Sequence, residues 1–512
     1  MKIIESVQLT IVILRLSYKE VKMGDEGKDT FKDVPDSIED ITPAWCEEAL
    51  RRGGIISSST KVLSVDTDRL INDETGALDG GGMTATKMLR IKITYDVEDE
   101  ENPKSLIAKC MLDGKRSLNL SFFWRLMITM MYGKNFEEMF MRTDIKFYRE
   151  AIPHVKDVYS HPKVYYTGII DGGNNSFYRD VIRGAPHKIR TITLMQDMKG
   201  WKSQTLGINH LTFDQAAAVL ENLAVLHGHF WGEKNKDIRE KFEPSLSETE
   251  MRGKMKSKLM LWKRNRLFKN SNNIRKTTKT LLKNWSSHSW YSLPKDATFP
   301  SWLTPNSSDN SDSTRICVLN DPNVLEMLEV VAERLPKFNT EYLLPFMKLP
   351  AQTILHGDIH NGNHMYDETG DGVRVVAFDF QMAGYGMAMA DVVKLLHISK
   401  QHKSLDEDFE LLKKYHNALV NSGVEDYSYN TLKEHFVLGF LEAMMQTLSE
   451  GAEGTSEKME KMHKTMFGEE KWGVLKDMLD GGLATASYLF MTSIYLNDKD
   501  KFLIDTSFID KL

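Results

Sequence analysis

Hydrophobic and polar positions divide this chain into an alternating first part and a helical second part. Lys61 to Val97 alternates as strands do, interrupted at Asp79-Gly80-Gly81-Gly82 by a turn. Ser105 to Leu112 reads as a third strand, and Val164 to Ile170 and Thr191 to Met198 complete an antiparallel sheet. Thr42 as N-cap and Pro43 in the first turn open a helix. A second helix is predicted from about Asn135 to Ala151, stopped at Pro153.

From Phe213 to His229 the period becomes helical, with Ala, Leu and Val on one face. Further helices are predicted at Thr249 to Asn270, Asn323 to Leu335, Leu405 to Ser422, Leu432 to Leu448 and Val474 to Tyr495. The last is broken at Gly481-Gly482. The polar, low-complexity stretch Asn306 to Ser313 reads as a disordered loop. No internal repeat is visible. The pattern predicts an α+β chain: a tail over 1–34, a small antiparallel β lobe over 35–198, and a large helical lobe over 199–512 that includes a basic insert at 250–315.

A length of 512 residues suits two lobes around a cleft, and 41% hydrophobic residues supply their cores. The net charge of -6 argues against nucleic acid as a partner. Cys46, Cys110 and Cys317 are odd in number and far apart, which gives neither a disulfide framework nor metal-ligand spacing and points to a reducing cytosol. No apolar run approaches the ~20 residues that span a bilayer. Val7 to Leu16 reads as a signal-type apolar stretch or as an unstructured or strand-like extension. Glu5 before it and the lack of a small-residue cleavage site after it favour the extension.

The chemistry is concentrated in His356-Gly357-Asp358-Ile359-His360-Asn361-Gly362-Asn363, which reads as a kinase catalytic loop. Asp358 and Asn363 stand five positions apart, the spacing at which one carboxylate meets an attacking hydroxyl and one amide oxygen meets magnesium. Asp379 ends the apolar run Val375 to Phe378, so its carboxylate is expected at a strand terminus facing the cleft. Lys109 interrupts the apolar strand Leu106 to Met111, either as an edge-exposed charge or as a phosphate-clamping lysine. Gly357 stands where regulated protein kinases carry an arginine, and only eleven residues separate Asp379 from Asp391. With no long activation segment, a small-molecule hydroxyl is a better acceptor than a peptide.

These residues resemble the aminoglycoside phosphotransferase and choline-kinase-like family of small-molecule kinases, and its ecdysteroid-kinase-like branch above all. The resemblance is carried by H-G-D-x-H-x-x-N at His356 to Asn363, by Asp379-Phe380-Gln381, and by Gly384-Tyr385-Gly386 leading to Asp391. Leu106 to Lys109, Lys146-Phe147-Tyr148, Leu194 to Met198 and Leu226 to Trp231 support it. It implies a two-lobed protein-kinase-like fold, ATP and Mg2+ as cofactors, and a small-molecule alcohol as substrate.

The catalytic candidates are then Asp358 as base and His356, to which the resemblance gives an architectural role, hydrogen-bonding backbone near the metal-binding Asp. Asn363 and Asp379 would hold the metal. Lys109, Asp144, Gln196, Met198, Gly81 and Gly82 would bind the nucleotide. The chain departs from the family where Asp144 stands in place of a Glu before Phe147-Tyr148. The shorter side chain leaves open whether the Lys109 pair is longer, water-bridged, or made by Glu137 or Glu138. Gly80 to Thr86 is either a phosphate-covering loop or a plain hairpin turn. Asp197 is expected to cap the segment after it, and Asp391 to cap a helix or brace the loop.

Arg252 to Trp285 holds many Lys and Arg with no Asp or Glu, which reads as a solvated helix face or as an attractor for an anionic substrate or lipid surface. Trp201, Trp231, Tyr385 and Met387 are either core or acceptor-pocket residues. The acceptor classes in view are choline-like, sterol- or ecdysteroid-like, and aminoglycoside-like alcohols. The alternative function is a catalytically weak or inactive kinase-like nucleotide-binding protein.

Overall fold

The computed structural model describes residues 31–69, 87–112, 136–170, 189–204, 211–242, 351–399 and 405–454, together with Asn272 and Pro336. Gly81, Gly82, the basic segment 252–285 and the helices expected at 249–270, 323–335 and 474–495 fall outside them, apart from Asn272. The chain divides into two compact units, Met1–Asp33 and Val34–Leu512. Among the described residues, every helix and strand lies in Val34–Leu512.

Helix α1 (Pro43–Arg52) starts where predicted. The Thr42 side chain accepts from the Trp45 N–H, and Pro43 occupies the first turn, where no N–H is needed. Trp45, Cys46, Ala49 and Leu50 form its buried stripe. Trp45 meets Tyr166 edge-on at 6.0 Å, which seats the helix on the sheet.

The alternating segments form one five-stranded sheet of order β1 (Val62–Arg69), β2 (Lys87–Tyr95), β3 (Ser105–Met111), β5 (Arg190–Gln196), β4 (Val164–Ile170). Every neighbouring pair is antiparallel. Strand β3 is central, with Leu106, Ala108 and Cys110 fully buried. The edge-exposed reading of Lys109 is therefore excluded: the residue lies in the register between Met88 and Thr193.

Helix α2 (Phe136–Lys146) does not stop at Pro153 as the sequence predicts. It runs into a π turn at Phe147–Ala151 and then into the short helix α3 (Ile152–Val155). Pro153 sits in the first turn of α3, the one helical location where its missing N–H costs nothing. The π turn packs Phe147, Tyr148 and Ala151 into a core shared with Leu226, Phe230, Ile354, Ala377 and Phe380.

The two-residue strand β6 (Lys202–Ser203) precedes helix α4 (Phe213–His229). That helix opens on a capping box: the Gln215 N–H donates to Thr212 Oγ1 at 3.2 Å, and the Thr212 N–H donates back to Gln215 Oε1 at 3.0 Å. Near its end, a Cβ on Gly228 would lie 2.5 Å from the Ser422 side chain, so only glycine lets α4 approach the end of α7 (Leu405–Asn421) so closely. The short helix α5 (Lys236–Arg239) follows α4.

Four short strands that the sequence reading missed or only partly saw frame the acidic motifs. Strand β7 (Gln352–Leu355) ends at His356 and pairs with β10 (Gly384–Met387). Strand β8 (His364–Gly370) leaves Asn363 and pairs with β6 and with β9 (Gly372–Ala377), which leads to Asp379. Helix α6 (Met389–Ser399) follows β10, and α8 (Tyr429–Gly454) extends beyond the predicted Leu432 to Leu448 at both ends.

If the capping box sets the start of α4, Thr212→Ala lowers unfolding stability by about 1 kcal/mol. Thr212→Ser stays within a few tenths of the original. Urea denaturation of the two variants checks this.

Candidate active site

Strand β3 carries Lys109 to the centre of the sheet, and the last turn of α2 brings Asp144 to it. The Lys109 ammonium lies 3.0 Å from Asp144 Oδ2 and 2.6 Å from Asp379 Oδ1. The pair left open in the sequence is thus made directly by Asp144. Its other oxygen is also occupied, since the Phe380 N–H donates to Asp144 Oδ1 at 2.9 Å. One carboxylate therefore ties the sheet lysine to the backbone after Asp379. Burial disfavours the ammonium of Lys109, yet the charges of Asp144 and Asp379 outweigh it and hold the group above the ordinary lysine range.

Asp379 adopts φ 66, the left-handed region that aspartate tolerates better than bulkier residues. The cost, of order 1–3 kcal/mol, persists only where surroundings over-determine the turn. Here the Asp144 hydrogen bond fixes the next amide, and the Phe380 ring stacks on Phe147 at 3.9 Å.

The loop after β7 lies against this turn. The Phe378 N–H donates to the Asn363 carbonyl at 3.1 Å, and His356 Nε2 lies 3.1 Å from the Phe378 carbonyl. His356 is fully buried, and burial lowers its pKa, so the neutral ring donates from Nε2. This is the brace geometry expected of it, and it leaves His356 turned toward backbone. The Asn363 amide donates to the Asp358 carbonyl at 2.8 Å and faces Asp358 Oδ2 at 3.4 Å.

Gly357 has φ 80, and a Cβ there would lie 2.0 Å from the Met382 carbonyl oxygen, so no larger residue fits where protein kinases carry arginine. His360 caps the following 3-10 turn: Gly362 N–H donates to its Nδ1 at 3.1 Å, which leaves Nε2–H pointing toward Asp358 Oδ2 at 3.8 Å.

Three further residues complete the cluster, and of these only Asp391 had been given a role from the sequence. Asp391, in the first turn of α6, accepts from the His356 N–H at 2.7 Å and from the Gly357 N–H at 3.1 Å. It braces the loop, one of its two expected roles. Behind it His227 Nε2 lies 3.4 Å from Asp391, and His227 Nδ1 lies 2.8 Å from the Tyr415 hydroxyl. Lys394, one turn along α6, lies 3.0 Å from Asp358 Oδ1 and donates to the Gly357 carbonyl at 3.1 Å. His227 stood in the motif Leu226 to Trp231 without a role. Lys394 was legible only as a lone cation in an apolar helix. Burial opposes the charged form of Asp358, but the nearby Lys394 ammonium prevails and holds the carboxyl well below its usual range.

Other candidates are placed elsewhere. Gln196 ends β5 with its side-chain oxygen accepting from the Lys163 N–H at 3.2 Å, and the Met198 carbonyl accepts from the Trp201 N–H at 3.0 Å. Asp197 does not cap the next segment. It receives Arg90 Nε at 2.8 Å and the Ser105 hydroxyl at 2.6 Å, because both side chains reach it from adjacent strands. Trp231 packs edge-on against Tyr427 at 4.8 Å, and Met387 is buried. Trp201 lines a cavity of about 1340 Å³ with residues of α4, β9 and α7, and none of the acids above lines it.

Chemically, the cluster offers one carboxylate beside an amide and a second acid beside a lysine. Asp379 and the Asn363 amide oxygen are hard oxygen donors of the kind magnesium takes, and they would hold it only with phosphate and water as further ligands, since among the described residues no three His, Cys, Asp or Glu side chains cluster to bind an ion.

Two outcomes follow for stability. Lys109→Met strands two carboxylates, and its expected cost is about 3–5 kcal/mol, read as a fall in urea midpoint. Burial also depresses His364 to about 3, and His360 and His435 to about 4, so all three stay neutral in the fold and charge in the unfolded chain near 6.5. The unfolded state then binds more protons, and stability falls as pH drops from 6.5 toward 4, by up to about 2 kcal/mol per histidine at pH 5. Melts at pH 7 and pH 5 test this, and His435→Gln should flatten the dependence by one share.

The model of the ecdysteroid kinase-like family matches residues 80–429. Among solved structures, choline kinase from Cryptosporidium parvum Iowa II is 11% identical, with 89% of this chain and 96% of that chain covered and a TM-score of 0.37. Choline kinase LicA from Streptococcus pneumoniae is 11% identical, with 83% and 94% covered and a TM-score of 0.32. Amicoumacin kinase hAmiN, in complex with AMP-PNP, Ca2+ and Ami, is 11% identical, with 83% and 89% covered and a TM-score of 0.38. Nothing matches among curated protein sequences. The assignment rests on the family match, which spans more than half of the chain. The described residues form the α+β arrangement that the sequence predicts, an antiparallel sheet followed by helices, and the chain belongs to the ecdysteroid kinase-like family.

Proposed function

We propose that this chain is an ATP- and Mg2+-dependent small-molecule kinase that moves the γ-phosphoryl group of ATP to the hydroxyl of a small acceptor. The observation that carries this reading is the double contact of Lys109 with Asp144 and Asp379, set against the loop that presents Asp358 and Asn363. In the proposed reaction Lys109 steadies the nucleotide phosphates. Asp379 and Asn363 hold Mg2+, which when bound neutralises charge on those phosphates. Asp358 accepts a hydrogen bond from the acceptor hydroxyl and aligns it with the phosphorus. Gln196 and Met198, at the end of β5, are proposed to meet the adenine edge.

Asp358 is held so firmly in its charged form that it serves first as an orienting acceptor. That suits a loose phosphoryl-transfer transition state, in which the hydroxyl keeps its proton until late. Positioning and electrostatics would supply most of the rate. The departure at Asp144, which favoured an inactive nucleotide-binding protein, loses its force because the lysine pair is made at 3.0 Å. We place the reaction in the cytosol, in keeping with the few and scattered cysteines. The family match makes sterol- or ecdysteroid-like alcohols the first acceptors to try, ahead of choline-like and aminoglycoside-like ones.

ATP-dependent phosphorylation of that acceptor panel tests the reading. Asp358→Asn and Asp379→Asn should each lower transfer by about a hundredfold or more while the circular-dichroism spectrum is kept. Rates like the wild type in both variants would remove the proposal.

A further inference from the structure

Between Asp391 and His397, helix α6 is apolar except at Lys394. Val392, Val393, Leu395 and Leu396 are all fully buried, and Lys394 stands among them with its side chain 29% exposed. A lysine in such a run is costly to order, since its long side chain loses rotamer freedom. Its ammonium turns toward the loop and meets two oxygens, the Gly357 carbonyl at 3.1 Å and Asp358 Oδ1 at 3.0 Å.

One turn earlier on the same face, Asp391 takes the amides of His356 and Gly357. Residues three apart share a helix face, so α6 holds Gly357 by its N–H, which donates to the Asp391 carboxylate, and by its carbonyl, which accepts from the Lys394 ammonium. Lys394 also selects one carboxylate oxygen of Asp358. With Oδ1 engaged, Oδ2 is the oxygen left facing His360 Nε2 at 3.8 Å and the Asn363 amide at 3.4 Å.

We propose that Lys394 is a positioning residue for phosphoryl transfer, which fixes the Asp358 side chain through Oδ1 so that Oδ2 meets the attacking hydroxyl. This rests on the kinase reading above and assigns a residue that the catalytic-loop pattern does not contain. Because the contact is to the acceptor-aligning acid and not to Lys109 or Asp379, its loss acts on turnover and spares nucleotide binding. Arginine can supply a cation in the same place, whereas methionine keeps the volume and loses the charge.

The experiment measures MgATP hydrolysis, with water as acceptor, for the wild type, Lys394→Met, Lys394→Arg and Asp358→Asn, each with a thermal melt. Lys394→Met should lose roughly a hundredfold in kcat, as a misplaced aligning group does, with KM for MgATP within about twofold. Lys394→Arg should recover most of that loss. Wild-type kcat in Lys394→Met overturns the inference. So does a loss that arginine does not restore, or one in which KM for MgATP rises with it, since these mark a structural or nucleotide-binding role. If Asp358→Asn hydrolyses like the wild type, or the wild type itself shows no turnover, the kinase reading fails and this inference with it. An inactive Asp358→Asn beside a fully active Lys394→Met removes the lysine's role alone.

Discussion

Everything in the described site depends on one ammonium held between two carboxylates. Lys109 lies in a central strand, where an unpaired charge would cost several kcal/mol, and it is kept ionised there by Asp144 from a helix and Asp379 from a turn. That pairing fixes three separate elements against one another. Asp144 also takes the amide of Phe380, so the turn bearing Asp379 cannot shift without breaking a bond to the same group that balances the lysine. The left-handed backbone at Asp379 persists because these contacts, together with the Phe147–Phe380 stack, leave it no relaxed alternative.

The second half of the site is organised by α6. Asp391 is buried and ionised: burial works against its charge, but the His227 ring and the amides of the loop offset this and keep its pKa below the ordinary aspartate value. Tyr415 on α7 and His227 on α4 stand behind it, so helices far apart in sequence converge on two amides of the loop. Gly357 lets the loop pass within contact of the Met382 carbonyl and so brings it against the segment after Asp379. Two loops that carry acids are held side by side by backbone hydrogen bonds, without any direct bond between the acids themselves.

Much of this was legible in the sequence, for a physical reason. Alternation and helical period report which face is buried, so the strands at Val164 to Ile170 and Ser105 to Leu112 and the helix Phe213 to His229 appeared within a residue or so of their observed ends. The motif around Asp358 was legible because loop chemistry is set by residue type at fixed spacing. Short strands such as β7 and β10 carry too few residues for a period to register, and they are formed by pairing across distant sequence. Pro153 misled because its effect depends on whether it falls inside a helix or at a first turn, which the π turn decides. The roles of Asp197 and Lys394 depend on tertiary neighbours, Arg90 and Ser105 in one case and Asp358 in the other, and no local pattern encodes them.

Charge balance links these halves to the chemistry. His356, His360 and His364 are all kept neutral by burial, so they add no positive charge to the site. With the charge of Asp391 met by the loop amides and the His227 ring, what remains is three carboxylates, Asp144, Asp358 and Asp379, against the ammoniums of Lys109 and Lys394. The uncompensated charge falls at Asp379, whose side chain is also the more exposed partner of Lys109, 26% against 4% for Asp144. A bare triphosphate would be repelled from that acid, and a divalent cation would be drawn to it. Lys109 alone is too closely engaged to screen a polyanion. In the proposed reaction this arrangement of fixed charges would favour a nucleotide that arrives with its metal, and Asp358, tied to its own lysine on the other side, would stay out of that competition and keep one oxygen for the acceptor.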